Sequence, residues 1–198
     1  MSGSILFETE RHVRSLLETS LDKRLYYHNT LHTVNVVDHA SYLANTEGLS
    51  GEETEIVLIA EWFHDTGFIA SYIGHEQESV RIANHFLSPL LPEQRIKKIT
   101  ACILATKKGT PPQDVLQAIM HDADYYHFFQ PDYFQLVNDL RKEVAEVLGK
   151  TFTHQQWYEM NAKFLSQQSF YTAACKERWP KQKEFLLTEN NRIVQESV

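Results

Sequence analysis

Cysteine, glycine and proline are all scarce in this chain of 198 residues, with two Cys, seven Gly and six Pro. Cys102 and Cys175 lie far apart and form no CxxC pattern. That excludes a disulfide scaffold and a thiolate zinc site, and favours a reducing compartment. Few chain breakers mean long uninterrupted elements, and helices are the usual way to use them. Basic charge is short as well: 19 Lys and Arg against 26 Asp and Glu leave a formal net charge of −7. Such a field repels nucleic acid polymers. No apolar run approaches the ~18 residues of a membrane span, so no membrane partner is expected. The opening residues lack a basic region followed by an apolar stretch, so the expected location is the cytoplasm. Alternating β-branched runs, repeats of 20–50 residues and Gly-, Ser- or Pro-rich linkers are missing too. These absences predict one all-α domain over residues 1–198, a fold class built as a helical bundle.

What is present agrees. Hydrophobic residues make up 42% and charged residues 23%, enough for a buried core without staples. Ile5, Leu6, Val13, Leu16 and Leu17 recur at helical spacing, and a second helix is predicted from about Thr30 to Asn45. Ser50-Gly51-Glu52-Glu53 is a capping-box sequence that opens a third. Its segment Ile56 to Phe63 is apolar on nearly every side, as in the middle of a bundle, and stops at His64-Asp65-Thr66-Gly67. Further helices are predicted from about His75 to Leu87, Glu93 to Ala105 and Val115 to Met120. A loop is expected over Lys107 to Pro112. Beyond Pro131 the pattern is helical to Gly149, a second capping box follows at Thr153, and Pro180 marks a start or kink in a helical tail. Seven to nine helices are expected.

Ten histidines stand out. His28 and His32 are four apart and would share a helical face. His64-Asp65 closes the most apolar helix, where an imidazole beside a carboxylate is costly unless something pairs with both. Asp122-Ala123-Asp124 follows another apolar stretch. Three separated segments thus each deliver imidazole or carboxylate to the edge of an apolar element. Imidazole nitrogen with carboxylate oxygen suits a divalent cation such as Mn, Fe, Co, Ni or Zn. Two His and two Asp would leave coordination positions open, the mark of a catalytic site. His12, His39, His85, His121, His127 and His154 are read as packed or surface residues.

The ordered set Tyr27-His28-Asn29-x-x-His32, His64-Asp65 and Asp122-Ala123-Asp124 resembles the HD-domain metal-dependent phosphohydrolase superfamily, an all-α HD-domain helical bundle acting on phosphate esters and nucleotides. Trp62-Phe63-His64-Asp65-Thr66-Gly67-Phe68, His75-Glu76-x-x-Ser79 and Ile103-x-Ala105-Thr106 support the resemblance, which spans roughly residues 25 to 130. It implies His32, His64, Asp65 and Asp124 as ligands of one divalent metal ion, with Mg added to the candidate metals. His28 and Asn29 become substrate-phosphate contacts or, for Asn29, the cap of the second helix. His75 matches a place where some members hold a second metal, but Lys107-Lys108-Gly109 offers no further histidine. No acidic residue follows the His-Asp pair closely, so proton transfer falls to Glu76, His75 or Asp65. Lys107 and Lys108 are expected to meet substrate phosphate.

The reading is therefore metal-dependent hydrolysis of a phosphate ester, a nucleotide or related small phosphorylated molecule, by an activated water. Two alternatives are a non-catalytic metal-binding regulatory module and an HD-fold di-iron oxygenase, which needs two metals.

Overall fold

Six of the nine α-helices among the described residues start at a capping side chain. In the computed structural model, which describes residues 4–196, Ser4, Asn29, Ser50, Asp114, Thr153 and Thr172 each accept a backbone N–H from the helix that follows. These bonds satisfy donors that the first helical turn leaves unpaired. The helices are α1 (Ile5–Ser20), α2 (Thr30–Thr46), α3 (Gly51–Phe63), α4 (His75–Leu87), α5 (Glu93–Ala105), α6 (Val115–Asp124), α7 (Tyr133–Leu148), α8 (His154–Gln167) and α9 (Ala173–Gln195). Short 3-10 segments stand at Thr66–Ile69 and Tyr125–Phe129. Among the described residues there is no strand, and the protein is all-α.

Both capping boxes close reciprocally, at Ser50 with Glu53 and at Thr153 with Gln156. Two boundaries differ from the sequence reading. α6 does not stop at Met120 but runs on to Asp124, which puts Asp122 and Asp124 on one helical turn. α9 starts at Ala173, where Thr172 supplies the cap, so Pro180 lies inside the helix instead of opening it.

Every residue of α3 from Ile56 to Phe63 is buried, and the helix packs against α1, α2, α5 and α6. It is the central rod of the bundle. One continuous cluster of buried side chains runs from Val13 in α1 through α3 to Trp179 and Leu186 in α9. Burial on every side leaves α3 one way to present polar groups, at its C-terminal end, where His64 and Asp65 emerge.

The turn after that end is held close to α4. Ser79 Oγ donates to the His64 carbonyl at 2.6 Å and accepts the Gly67 N–H at 2.8 Å. A Cβ on Gly67 would overlap the His75 carbonyl and crowd Ser79 N, so only glycine fits this crossing.

Candidate metal centre

Three chain segments bring donors to one point. The Asn29 side-chain oxygen accepts the N–H of Leu31 at 2.9 Å and of His32 at 3.1 Å, which starts α2 and fixes His32 in its first turn. At the end of α3, His64 Nδ1–H donates to the Glu61 carbonyl at 2.7 Å. With Nδ1 committed, Nε2 is the nitrogen that faces the cluster. The last turn of α6 supplies Asp124.

One ligand atom each from His32, His64 and Asp124 lie within 4.8 Å of one another. Asp124 Oδ1 is 3.4 Å from His32 Nε2 and 3.9 Å from His64 Nε2. Asp65 joins them: its Oδ2 is 3.4 Å from His32 Nε2 and 3.2 Å from His64 Nε2. Yet His32 Nε2, His64 Nε2 and Asp65 Oδ2 are buried without a hydrogen-bond partner. Buried polar atoms rarely stay unpaired. Two imidazole nitrogens and a carboxylate oxygen facing one another beside a second carboxylate form a donor set that fits a borderline divalent cation.

The electrostatics agree. Burial pulls the His64 imidazole down, but Asp65, Glu61 and Asp124 outweigh it and raise its pKa to about 10. Burial likewise opposes charge on His32, and the nearby carboxylates of Asp124 and Asp65 still raise its pKa. Asp65 is held well below the usual carboxylate range, since His64 and His32 overcome its burial. The carboxylates thus favour positive charge at this point strongly enough to overcome burial. Behind His64, burial pushes the fully enclosed Glu61 carboxyl well above its usual range, with Oε2 3.7 Å from His64 Nδ1.

A second layer surrounds these donors. Glu143 on α7 is fully buried and accepts from Tyr27 N–H, His28 N–H, the Tyr72 hydroxyl and, at 2.5 Å, His28 Nδ1. Burial opposes its charge, but the bonds from His28 hold it below the usual range. The Phe68 ring stacks on His28 at 4.4 Å and on His75 at 3.9 Å. His75 Nδ1 donates to the Tyr72 carbonyl at 3.2 Å, and its Nε2 is 3.6 Å from Asp65 Oδ1.

Several expected residues stand elsewhere than the sequence suggested. His28 and His32 do not share a helical face, because α2 begins only at Thr30; His28 reaches the centre from the preceding turn, 5.8 Å from the His32 ring. Asn29 has both polar atoms engaged, since its amide also donates to the Tyr26 carbonyl at 2.7 Å. It serves as the cap. Glu76 is buried in the first turn of α4 but forms no hydrogen bond or ion pair with the cluster. Lys107 and Lys108 do not line the cavity beside His32 and Asp124; they line a different groove.

That cavity, of about 390 Å³, is lined by His32, Asp124, Tyr27, His127, Asp38 and Asp132 among others and by no Lys or Arg; His28, His64, Asp65, His75 and Glu76 do not line it. Glu143 was not anticipated from sequence. Its only local signal is its spacing from Leu136 and Leu140, which puts a carboxylate on the apolar stripe of α7. Glu61 carried a similar signal, as the one charged residue in Ile56 to Phe63.

Fold and donor set define an all-helical protein with a His/Asp cluster that could hold a metal ion. Residues 31–128, about half of the chain, match the family model of the HD domain. The chain belongs to the HD-domain superfamily, whose members are generally metal-dependent phosphohydrolases. The matched span holds His32, His64, Asp65 and Asp124 but not Glu143. No curated protein and no solved structure gives a significant match. No helix among the described residues is long and apolar enough to cross a membrane.

Proposed function

We propose that this protein hydrolyses a phosphate ester of a small molecule, nucleotide-like in size, at one divalent ion held by His32, His64, Asp65 and Asp124. The observation that carries this reading is the set of three buried, unpartnered donor atoms converging beside Asp124. A bound divalent ion would supply an activated water and positive charge against a phosphoryl oxygen. The protein's own groups do the rest. The Glu61 carbonyl fixes the His64 tautomer. His75 Nε2 stands 3.6 Å from Asp65 Oδ1, while His32 faces the other carboxylate oxygen.

Proton delivery to the leaving oxygen falls to His28 in preference to Glu76. A positioned imidazole is the commonest general acid. Glu143 holds its Nδ1–H, Phe68 holds its face, and Nε2 is the nitrogen that remains. Glu76 makes no polar contact with the cluster. A cavity of about 390 Å³, the size of a small-ligand site, opens beside His32 and Asp124, the two proposed ligands that line it. Glu143 lies on α7, beyond the HD-domain match, which supports residues 1–198 acting as a single unit with a C-terminal helical extension.

The test is a panel of nucleotides and other phosphate esters, assayed with Mn, Mg, Co and Ni. Hydrolysis with at least one metal, abolished by chelator and by His64→Ala, is expected. Metal-loaded protein that turns over none of the panel would favour a binding module without catalysis.

A further inference from the structure

Lys107 and Lys108 shape a groove of their own. The loop after α5 turns at Gly109, whose φ is +84°. Together with His121 and Tyr125 and the link from Gln167 to Tyr171, it bounds a cavity of about 460 Å³. No Asp or Glu lines this cavity, although the chain holds 26 of them. The contrast with the acidic cavity beside His32 and Asp124 is sharp.

Neither lysine is spent on an internal partner. Both are exposed, neither forms an ion pair among the described residues, and Lys108 Nζ lies only over the Phe164 ring, 5.1 Å from its centroid. Lys97, on the open surface of α5, is by contrast paired with Glu93 at 2.6 Å. The imidazole in the groove wall is fixed in place. His121 Nδ1 donates to Asp122 Oδ1 at 2.9 Å, and Asp122 is itself fully buried and anchored by the Tyr171 and Thr172 N–H groups. That leaves His121 Nε2 beside the Gln168 amide, 3.4 Å away in the cavity wall.

We propose that this groove is a second ligand site, which takes a phosphoryl group between Lys107, Lys108 and His121. Two ammonium groups on flexible stems act as point charges for phosphate oxygens, and a concave wall free of carboxylates concentrates their field. Charge-assisted hydrogen bonds from the two lysines would hold the group, with the His121 ring beside it. The phosphoryl group has two sources. Lys108 and Phe164 also line an apolar groove with Phe128 and Trp157, and that groove reaches Tyr27 and His127 at the wall of the metal-centre cavity. The group is therefore the far end of an extended substrate or a separate phosphorylated ligand.

Calorimetric titration of the full chain with pyrophosphate tests the site. It is done after chelator treatment, so that no divalent ion contributes. Binding near one equivalent is expected, weakening with added salt and shifting the His121 ring resonances in NMR. Lys107→Ala with Lys108→Ala should weaken it at least about tenfold, whereas Lys97→Ala with Lys98→Ala, the same charge change on an open helix face, should not. Absence of binding, or equal loss in both pairs, overturns the site. A second arm uses whichever ester the panel identifies. A raised KM confined to esters with a second phosphate marks the extended substrate. An unchanged KM with a lost response to added pyrophosphate marks a separate ligand. The titration needs no turnover, so its failure leaves the hydrolase proposal standing, and the converse holds.

Discussion

Asp122 and Asp124 share the last turn of α6 and face opposite sides of it. Asp124 Oδ1 lies 3.4 Å from His32 Nε2, whereas Asp122 Oδ2 accepts the Thr172 N–H and hydroxyl, each at 2.7 Å. One carboxylate faces the His32 cluster, and the other ties the start of α9 to the bundle. Asp124→Asn should therefore lose metal, with little change in melting temperature when both proteins are compared metal-free. Asp122→Asn should keep metal but lose about 2 kcal/mol, a drop of roughly 4–8 °C in Tm. Metal content and melting curves of the two variants check this, and the opposite ranking would refute the assignment.

His64→Ala and Asp65→Ala should each abolish metal retention and phosphate release while far-UV circular dichroism keeps its helical signal. Because Asp65, Glu61 and Asp124 raise His64 to about 10 against the effect of burial, its imidazole carries a proton at pH 7 in metal-free protein. Metal uptake must displace it. Titration with Mn or Zn in weak buffer should release protons, and affinity should rise with pH. Metal analysis should give about one equivalent per chain. Two equivalents would bring His75 and Asp65 Oδ1, 3.6 Å apart, forward as a further ligand pair.

His28→Gln should lower kcat by about 10²–10⁴ with a much smaller change in KM. Glu143→Gln should displace the pH profile of kcat, since the group that fixes His28 is altered while the imidazole stays. A His28→Gln enzyme of normal kcat would return the proton-transfer role to Glu76 or His75.

Gly67→Ala should cost about 1–3 kcal/mol, because the new methyl group has no space against the His75 carbonyl and Ser79. The turn after α3 would shift with it, so reduced metal retention should accompany the lower Tm. Equal stability and full metal content would show that the crossing of this turn with α4 is looser than the packing implies.

Burial, helped by Arg178, lowers the His39 pKa to about 3. Below about pH 6.5 the unfolded chain takes up a proton there that the folded chain does not. The unfolded state thus binds more protons, so folding stability falls as pH falls from about 6.5 towards 3. The stability advantage of the wild type over His39→Gln should shrink by about 1–2 kcal/mol between pH 7 and pH 5. Denaturant unfolding at the two pH values measures it; a constant difference would mean that His39 is protonated when folded.

The helical class, the caps at Asn29, Ser50 and Thr153, and the arrest of an apolar helix at His64-Asp65 were all legible in the sequence. Each depends on residues within one or two turns of each other, where spacing and side-chain chemistry act directly on the backbone. The resemblance carried by the ordered motifs likewise pointed to His32, His64, Asp65 and Asp124, which the fold brings together. What the tertiary structure alone decided is which distant groups meet. Glu143 reaches His28 across 115 residues, and Asp122 finds Thr172 across 50. Lys107 and Lys108 turn into a groove separate from the metal-centre cavity. No periodicity encodes such meetings, because they follow from how helix faces pack. A carboxylate on an apolar stripe records only that it needs a partner, and packing supplies which one.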